Sequence, residues 1–389
     1  MKIAKLKNGS PVIKSILITL LLIVSCREES IFRFTKGIEP VFYSVEEDSI
    51  RDKSTGEILQ DSKSCKSCHK KVFENWYNSR HRVAFTNELY KESHEREPKE
   101  WCVNCHAPLL DRNVNRLSLE NRILKEEGIS CNVCHVRNKK ILVSKIPKSQ
   151  ADNRELTHDY QVELKIGKSE FCANCHQFNF PTLKSARSEG HFEYSNLPMQ
   201  NTFTEFKESY LSKYGECQAC HLAANSNETH SFFGGHDREK LNSSLFLEIE
   251  RISKNTILVT VITNGIPHSF PTGDLFRTLR IILKNSKTGN TVGELSLKKD
   301  YSDVKTSEDK NTPSMILLAD NRIISPNISH TSSASFQMHL EENVNEIEAE
   351  LFMDYLHGLN RLTTDLPENL TRLKIKKVYF KLKKTDASG

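Results

Sequence analysis

The chain has 389 residues, of which 37 % are hydrophobic and 27 % charged, with 11 Cys, 15 His and a formal net charge of +5. One hydrophobic core rarely serves more than about 250–300 residues, so this length argues against a single domain and predicts two. The apolar fraction lies below the roughly 45–50 % of ordinary globular chains, which indicates that a non-protein group supplies part of the buried surface.

Residues 1–25 are typical of a secretory signal peptide. Four Lys and no acidic residue precede a ten-residue apolar run from Ser15 to Val24, and a bilayer span needs about 20 residues. The run ends in Ile23-Val24-Ser25-Cys26, which resembles the lipobox of bacterial lipoproteins. The resemblance implies that Cys26 is lipidated and becomes the new N-terminus. An ordinary secretory signal with an incidental Cys is the alternative.

Either alternative predicts an exported protein of the periplasm or cell envelope, and lipidated Cys26 predicts an anchor in the membrane. Removing the signal peptide lowers the formal net charge from +5 to +1, because it takes away four Lys. That balance gives no basis for nucleic-acid binding. Residues 26–60 are polar with isolated aromatic side chains, and we interpret them as the lipidated Cys and a tether.

All other cysteines fall into five C-x-x-C-H units, the attachment sequence of c-type haem. In such a unit two thiols bond to the haem and the adjoining His binds its iron. The predicted attachment residues are Cys65, Cys68, Cys102, Cys105, Cys131, Cys134, Cys172, Cys175, Cys217 and Cys220, and the predicted proximal iron ligands are His69, His106, His135, His176 and His221. The sequence therefore predicts five covalently bound haem c groups.

Structural zinc and disulfide bonds are the competing interpretations of these cysteines. Zinc needs no His after each second Cys, and five Cys pairs do not divide evenly into four-thiolate sites. Disulfides suit an exported protein but do not require this spacing five times. Haem attachment is the interpretation that uses every residue of the motif.

The predicted fold class is α+β and multidomain. From Cys65 to His221 the chain has 157 residues for five haems, so we expect the haems to pack against one another. A pentahaem cytochrome c domain rich in helices and loops, with little sheet, is predicted over residues 61–240. A short helix is predicted after the first motif, where apolar side chains recur at helical spacing, at Val72, Phe73, Trp76 and Tyr77.

Residues 241–389 change to a period of two, which predicts about seven short strands. We expect an antiparallel, immunoglobulin-like β-sandwich. The alternating positions are Leu245 to Ile249, Ile257 to Val261, Leu279 to Leu283, Leu295 to Leu297, Phe336 to Leu340, Ile347 to Tyr355 and Val378 to Leu382.

Histidines outside the motifs are candidates for the distal iron position. The predicted distal ligands are His81, His158, His191, His230 and His268. His236 shares a Gly-Gly turn with His230 and is a further candidate, whereas His94 is typical of a solvated helix face. His268 lies between Pro267 and Pro271, which restrict the loop, so we expect it to reach from the sandwich to a haem. A loop His with local hydrogen bonds is the alternative.

The segment from Cys65 to His81 resembles the opening of the cytochrome c-554/c-prime family of multihaem cytochromes. In that family a Trp-x-x-Ser-x-His segment follows the first motif and its His binds a haem iron, which implies this role for His81. The similarity covers about residues 61–285, although the better known members have four haems and some leave one iron five-coordinate. Later matching segments are Cys102–Pro108, Gly128–Cys131, Phe171–Gln177, Cys217–His221 and Thr229–His236.

Two main functions follow from these features. The favoured one is electron transfer through five closely packed haems, exchanged with redox partner proteins, because a surplus of His ligands favours six-coordinate iron without an open site. The alternative is a multihaem oxidoreductase that acts on a small nitrogen or sulfur compound at one open iron. In either case the sandwich can serve to dock a redox partner.

Overall fold

The computed structural model describes residues 50–51, 53, 56, 58–59, 61–110, 119–137, 139–145, 158–186, 193–222, 230–341, 344–356 and 364–383. The predicted signal peptide, Cys26, nearly all of the tether and His191 lie outside these residues. The ten motif cysteines and the other predicted iron ligands lie within them.

Short helices dominate the described part of the chain before residue 245. No helix there or later in the described residues is long and apolar enough to span a bilayer. The α-helices are Ser62–Lys66, Lys70–Tyr77, Glu88–Arg96, Glu100–His106, Leu119–Glu127, Cys131–His135, Ser169–His176, Leu183–Ala186, Thr202–Glu208, Cys217–His221, Arg238–Ser244 and Glu368–Thr371, and the 3₁₀ helices are Leu164–Gly167 and Tyr210–Tyr214. The helix predicted after the first motif is Lys70–Tyr77.

The helical region contains more sheet than the sequence predicts. Its strands are β1 (Ile50–Arg51), β2 (Ile58–Leu59), β3 (Val136–Arg137), β4 (Lys140–Val143), β5 (Tyr160–Val162), β6 (Gln177–Pro181) and β7 (Tyr194–Asn201). β6 and β7 form an antiparallel pair, and β5 joins β4 in parallel. β3 and β6 each begin at the residue after a motif His, so in these two motifs the helix ends at the His and a strand follows directly.

In the described residues after 244 there are nine strands, and most of them form two antiparallel sheets. They are β8 (Leu245–Ser253), β9 (Thr256–Asn264), β10 (Thr278–Asn285), β11 (Thr291–Leu297), β12 (Lys299–Asp303), β13 (Met315–Asp320), β14 (Thr331–His339), β15 (Glu346–Asp354) and β16 (Arg372–Lys381). One sheet has the order β14-β9-β8 and the other β11-β10-β15-β16, while β12 and β13 pair separately. The alternation predicted the strands of both sheets but not the β12–β13 hairpin.

One hydrophobic core fills the space between the two sheets. In the four-stranded sheet Ile281 lies opposite both Leu295 and Leu351, and in the other sheet Val259 lies opposite Ile249 and Phe336. Because side chains alternate across a strand, every second residue enters the core. The fully buried side chains include Leu245, Ile257, Val259, Leu279, Ile281, Leu283, Leu297, Ile347, Leu351 and Met353. The structure therefore combines helices with a C-terminal β-sandwich, in an α+β fold.

Backbone hydrogen bonds join the helical region to the sandwich. The N–H of Leu183 donates to the carbonyl of Thr312 at 2.8 Å, and that of Ser314 donates to Pro181 at 2.9 Å. These bonds connect the end of β6 to the segment before β13. The two regions are therefore joined by direct hydrogen bonds as well as by the chain that links them.

Gly128 lies where two segments of the helical region approach closely. Its φ is +55°, and a Cβ there would lie 2.8 Å from the carbonyl oxygen of His81. We expect Gly128→Ala to reduce the free energy of unfolding by about 2–4 kcal/mol, through left-handed backbone strain and the clash together. Denaturant unfolding of the holoprotein measures this loss.

Gly289→Ala is the matched control, because Gly289 has a φ of +77° and open space around its Cβ position. We expect it to cost only about 1–2 kcal/mol, from backbone strain alone. Equal losses in the two variants would show that the contact with His81 does not limit the position of Gly128.

Candidate functional site

Each of the last four C-x-x-C-H motifs is a short helix that ends at its His. The helices are Glu100–His106, Cys131–His135, Ser169–His176 and Cys217–His221, and in the first motif His69 lies between two helices. Three positions along a helix bring two side chains to the same face, so both thiols of a motif point to one side. All ten motif cysteines are free thiols, which argues against the disulfide interpretation.

Thiols of different motifs lie within hydrogen-bonding distance of one another. The pairs are Cys65 with Cys131, Cys105 with Cys175, and Cys172 with Cys217. Burial, and then the nearby thiols of Cys175 and Cys131, raise the pKa of Cys134. The fourth motif therefore contacts the second and the fifth and lies near the third, and the third contacts the first.

Four pairs of imidazole rings face each other at nearly equal spacing. The ring centroids are 6.5 Å apart for His69 and His158, 6.2 Å for His81 and His176, 6.0 Å for His135 and His230, and 6.4 Å for His221 and His268. A His nitrogen binds a transition metal at about 2 Å and the ring centre lies about 1 Å farther, so two imidazoles on one iron have centroids about 6 Å apart. Each pair combines one motif His with one His from outside the motifs.

Hydrogen bonds orient several of these rings through Nδ1. The Nδ1 of His135 lies 2.8 Å from the carbonyl oxygen of Leu142, and that of His221 lies 2.7 Å from Phe233. In the second motif the Nδ1 of His106 lies 2.7 Å from Ala84. An Nδ1–H that donates to a carbonyl leaves the Nε2 lone pair available for a metal.

The non-motif rings carry buried nitrogens that fit a metal ligand. The Nδ1 atoms of His81, His158 and His230 are buried and have no hydrogen-bond partner among the described residues. Burial, followed by neighbouring imidazoles, lowers the pKa of His81 to about 3 and that of His230 to about 4. Both rings are therefore neutral at pH 7, which is the form that binds iron. These residues fit haem with two axial His ligands.

Contacts with the segment before the third motif hold His81 in place. The indole N–H of Trp76 donates to the carbonyl of Ile129 at 2.8 Å, and the N–H of Ile129 donates to the carbonyl of His81 at 3.0 Å. The Phe232 ring packs 4.1 Å from the His81 ring. Trp76 and His81 are therefore both hydrogen-bonded to the backbone of Ile129.

His230 is presented by a strained loop. Its φ is +72° and that of Phe232 is +47°. Residues other than Gly rarely adopt this left-handed backbone region. The left-handed residues of this loop are therefore His230 and Phe232, and Gly234 and Gly235 are not among the residues with positive φ. The His236 ring stacks on Tyr355 at 3.9 Å and, in the part of the chain that the structure describes, pairs with no motif His.

The loop that carries His268 is fixed by a buried ion pair. Arg322 donates to Glu205 at 2.8 Å and to the carbonyl of Pro271 at 3.0 Å, and Thr272 donates to Glu205 at 2.7 Å. Glu205 belongs to a helix of the N-terminal region, whereas Arg322 and Thr272 belong to the sandwich. His268, carried by this loop of the sandwich, thus lies with its ring 6.4 Å from the ring of His221.

We expect Glu205→Gln to reduce the free energy of unfolding by about 1.5–3 kcal/mol, because it removes one of the two carboxylates that pair with the buried Arg322 guanidinium and leaves Asp320 as the remaining one. Thermal or denaturant unfolding of the holoprotein measures the loss. The control is Glu170→Gln, which breaks an exposed ion pair with Lys207 and should cost at most about 1 kcal/mol. Similar losses in both variants would contradict this role of Glu205.

The second motif differs from the other four. Within the described residues no second imidazole faces His106 at the spacing of the four pairs. Instead the Tyr90 ring stacks on the His106 ring at 4.0 Å, and the His94 ring stacks on the Tyr90 ring at 5.3 Å. His94 is half-buried against aromatic rings, so the interpretation as a solvated helix face was wrong. Tyr90 lies in no motif, so the sequence alone provided no reason to place it beside His106.

A cationic group lies near His176 of the fourth motif. The Arg277 guanidinium lies between Gly235 and Gly273, where added Cβ atoms would lie 3.5 and 3.0 Å from its nitrogen. Burial, and then the charge of Arg277, lowers the pKa of Arg80. Neither guanidinium forms an ion pair with a carboxylate among the described residues, and a haem carries two propionate carboxylates that would match this charge.

Comparison with known proteins agrees with this chemistry. Residues 64–136 match the family model of cytochrome c554 and c-prime, and that segment contains the first three motifs and His81. The chain is a multihaem c-type cytochrome. It resembles the cytochrome c554 and c-prime family in the matched segment and ends in a β-sandwich. None of the curated proteins compared with it matches.

The fold of this multihaem cytochrome is similar to that of a solved structure. A penta-heme cytochrome c552 from Thermochromatium tepidum superimposes with a TM-score of 0.63 and 18 % sequence identity. The similarity covers 82 % of this chain and 98 % of the other. It therefore extends beyond the segment matched by the family model and includes most of the fold.

Proposed function

We propose that this multihaem cytochrome is an exported, lipid-anchored protein that transfers electrons through five closely packed covalent haems. The C-x-x-C-H motifs would hold one haem c each. Haem supplies reversible one-electron chemistry at its iron, and the protein contributes spacing, ligands and electrostatics. A penta-heme cytochrome of similar fold supports the number of haems.

The observation that carries this proposal is the set of four facing imidazole pairs. An iron held between the two imidazoles of such a pair would have no open coordination position, which suits an electron carrier rather than a catalyst. Ligation by two His also lacks the axial Met that raises potentials, so we expect low reduction potentials. In this proposal His69, His135, His176 and His221 are proximal ligands, and His81, His158, His230 and His268 are distal ones.

Contacts between motifs support close packing of the haems. Thiols of the first and third motifs approach each other, as do those of the second and fourth and of the fourth and fifth. Electrons entering at the first motif would reach the fourth through the third. The fourth motif would then be a branch point toward the second and the fifth.

We further propose that the sandwich is immunoglobulin-like. The separation of β8, β9 and β14 from β10, β11, β15 and β16 into two antiparallel sheets supports this assignment. Its role would be to present His268 and to dock a redox partner protein. The signal-like residues 1–25 and Cys26 support export and attachment to a membrane, with the carrier held in the periplasm or cell envelope.

Electron paramagnetic resonance of the oxidised holoprotein, combined with a redox titration, tests the carrier function. We expect at least four low-spin irons and reversible uptake of five electrons. A second axial ligand at His106, with His191 as the remaining predicted candidate, would make the fifth iron low-spin as well. Turnover of nitrite or hydroxylamine at a high-spin iron, faster than electron exchange with a carrier, would contradict the proposal and favour the oxidoreductase.

A further inference from the structure

Two serine–glutamate clusters join motif segments that are distant in sequence. In the first, the N–H and Oγ of Ser62 each donate to the carboxylate of Glu127 at 2.9 Å. The same Oγ accepts the backbone N–H of Cys131 at 3.2 Å. Ser62 is fully buried and lies three residues before Cys65, so this cluster connects the first motif to the third.

The second cluster repeats the arrangement at the other end of the helical region. The N–H and Oγ of Ser169 donate to one oxygen of Glu216 at 2.9 and 2.6 Å. The Oγ accepts the backbone N–H of Cys217 at 3.0 Å. Ser169 is fully buried and lies three residues before Cys172, so this cluster connects the fourth motif to the fifth.

The two clusters have the same hydrogen-bonding geometry, although the glutamates lie at different distances along the chain from their motifs. Glu127 ends a helix four residues before its motif, whereas Glu216 directly precedes its motif. A simple sequence repeat would have kept the same offset. In both clusters the first thiols of the two joined motifs lie within hydrogen-bonding distance. The shared geometry therefore reflects a common requirement at both places, which is to hold two attachment segments side by side.

We propose that Glu127 and Glu216 are positioning residues that organise the haems into two pairs, and that their carboxylates lower the reduction potentials of the paired haems. The first pair is attached at Cys65–His69 and Cys131–His135, and the second at Cys172–His176 and Cys217–His221. This inference rests on the proposed covalent haems. A nearby negative charge stabilises the oxidised haem, which carries one more positive charge than the reduced haem.

The two carboxylates lie in different electrostatic surroundings. Glu127 is buried, and burial raises its pKa while the hydrogen bonds from Ser62 oppose that rise. Burial also acts on Glu216, but hydrogen bonds from Ser169 and Lys168 outweigh it and lower the pKa to about 2. Lys168 pairs with Glu216 at 3.0 Å at a more exposed position. Solvent screens Glu216 more, so we expect Glu127 to have the larger effect.

The experiment compares Glu127→Gln with Glu126→Gln in the full-length holoprotein. Glu126 is the adjacent exposed residue, so the two variants change the charge equally. The readouts are intact mass, for haem content, and a redox titration that resolves individual haems. We expect Glu127→Gln to raise the potentials of the two haems of the first pair and Glu126→Gln to shift none.

A second comparison covers the case in which Glu127→Gln fails to mature. Glu216→Gln, with exposed Glu208→Gln as its control, should raise the potentials of the second pair by a smaller amount. A shift spread equally over all haems, or no shift in variants that carry the full haem complement, would overturn the inference. A wild-type protein with fewer than five haems would instead overturn the proposed function, so the two failures are distinguishable.

Discussion

Alanine at both Cys217 and Cys220 is expected to remove one covalent haem from the mature protein. The two thiols are the bonding groups of the fifth motif, and no other Cys lies within that segment. His221 and His268 can still bind iron, but a haem held only by axial ligands dissociates when the protein unfolds. Denaturing intact-mass measurement therefore should show five haem increments in the wild type and four in the variant.

Cys26→Ala is the control for this measurement. Cys26 is the one Cys outside the five motifs. Its replacement should abolish the predicted lipid and release the protein from the membrane without changing the number of haems. An unchanged haem count in the double variant would exclude thioether attachment at the fifth motif. A lower count in Cys26→Ala would show that the protein matures only at the membrane.

Replacing His268 by Ala is expected to convert one low-spin iron to high-spin and to weaken the attachment of the sandwich to the helical region. The His268 ring lies 6.4 Å from the His221 ring with an angle of 15° between their planes. Its Nδ1 lies 3.1 Å from the carbonyl oxygen of Ser269, which leaves Nε2 for the iron. Electron paramagnetic resonance should show one fewer low-spin signal.

His268→Met gives a complementary outcome at the same iron. A thioether can replace the imidazole as an axial ligand and raises the potential of a haem. We therefore expect this variant to stay low-spin while one haem titrates at a higher potential. His330→Ala is the control, because His330 contacts Tyr210 and Tyr214 instead of a motif His. Loss of a low-spin signal in His330→Ala, or none in His268→Ala, would contradict the assignment.

The sequence alone identified the haem-binding chemistry because that chemistry is local. Both thiols and the proximal His of a motif lie within five consecutive residues, so their spacing reports directly on attachment. The strands of the two sandwich sheets were equally visible, because alternation of apolar and polar residues is a property of each strand by itself. The hairpin of β12 and β13 was missed because its exposed apolar residues, such as Ile316 and Leu318, break that alternation.

Only the tertiary structure decided which imidazoles face each other. His81 follows the first motif by 12 residues, yet its ring faces His176 of the fourth motif, while His69 faces His158. The packing of segments far apart in the chain decides which imidazole lies opposite each motif His, and no local sequence pattern predicts that pairing. The stacking of Tyr90 on His106 and the contact of Ser62 with Glu127 could not be predicted for the same reason, because these residues meet only after folding.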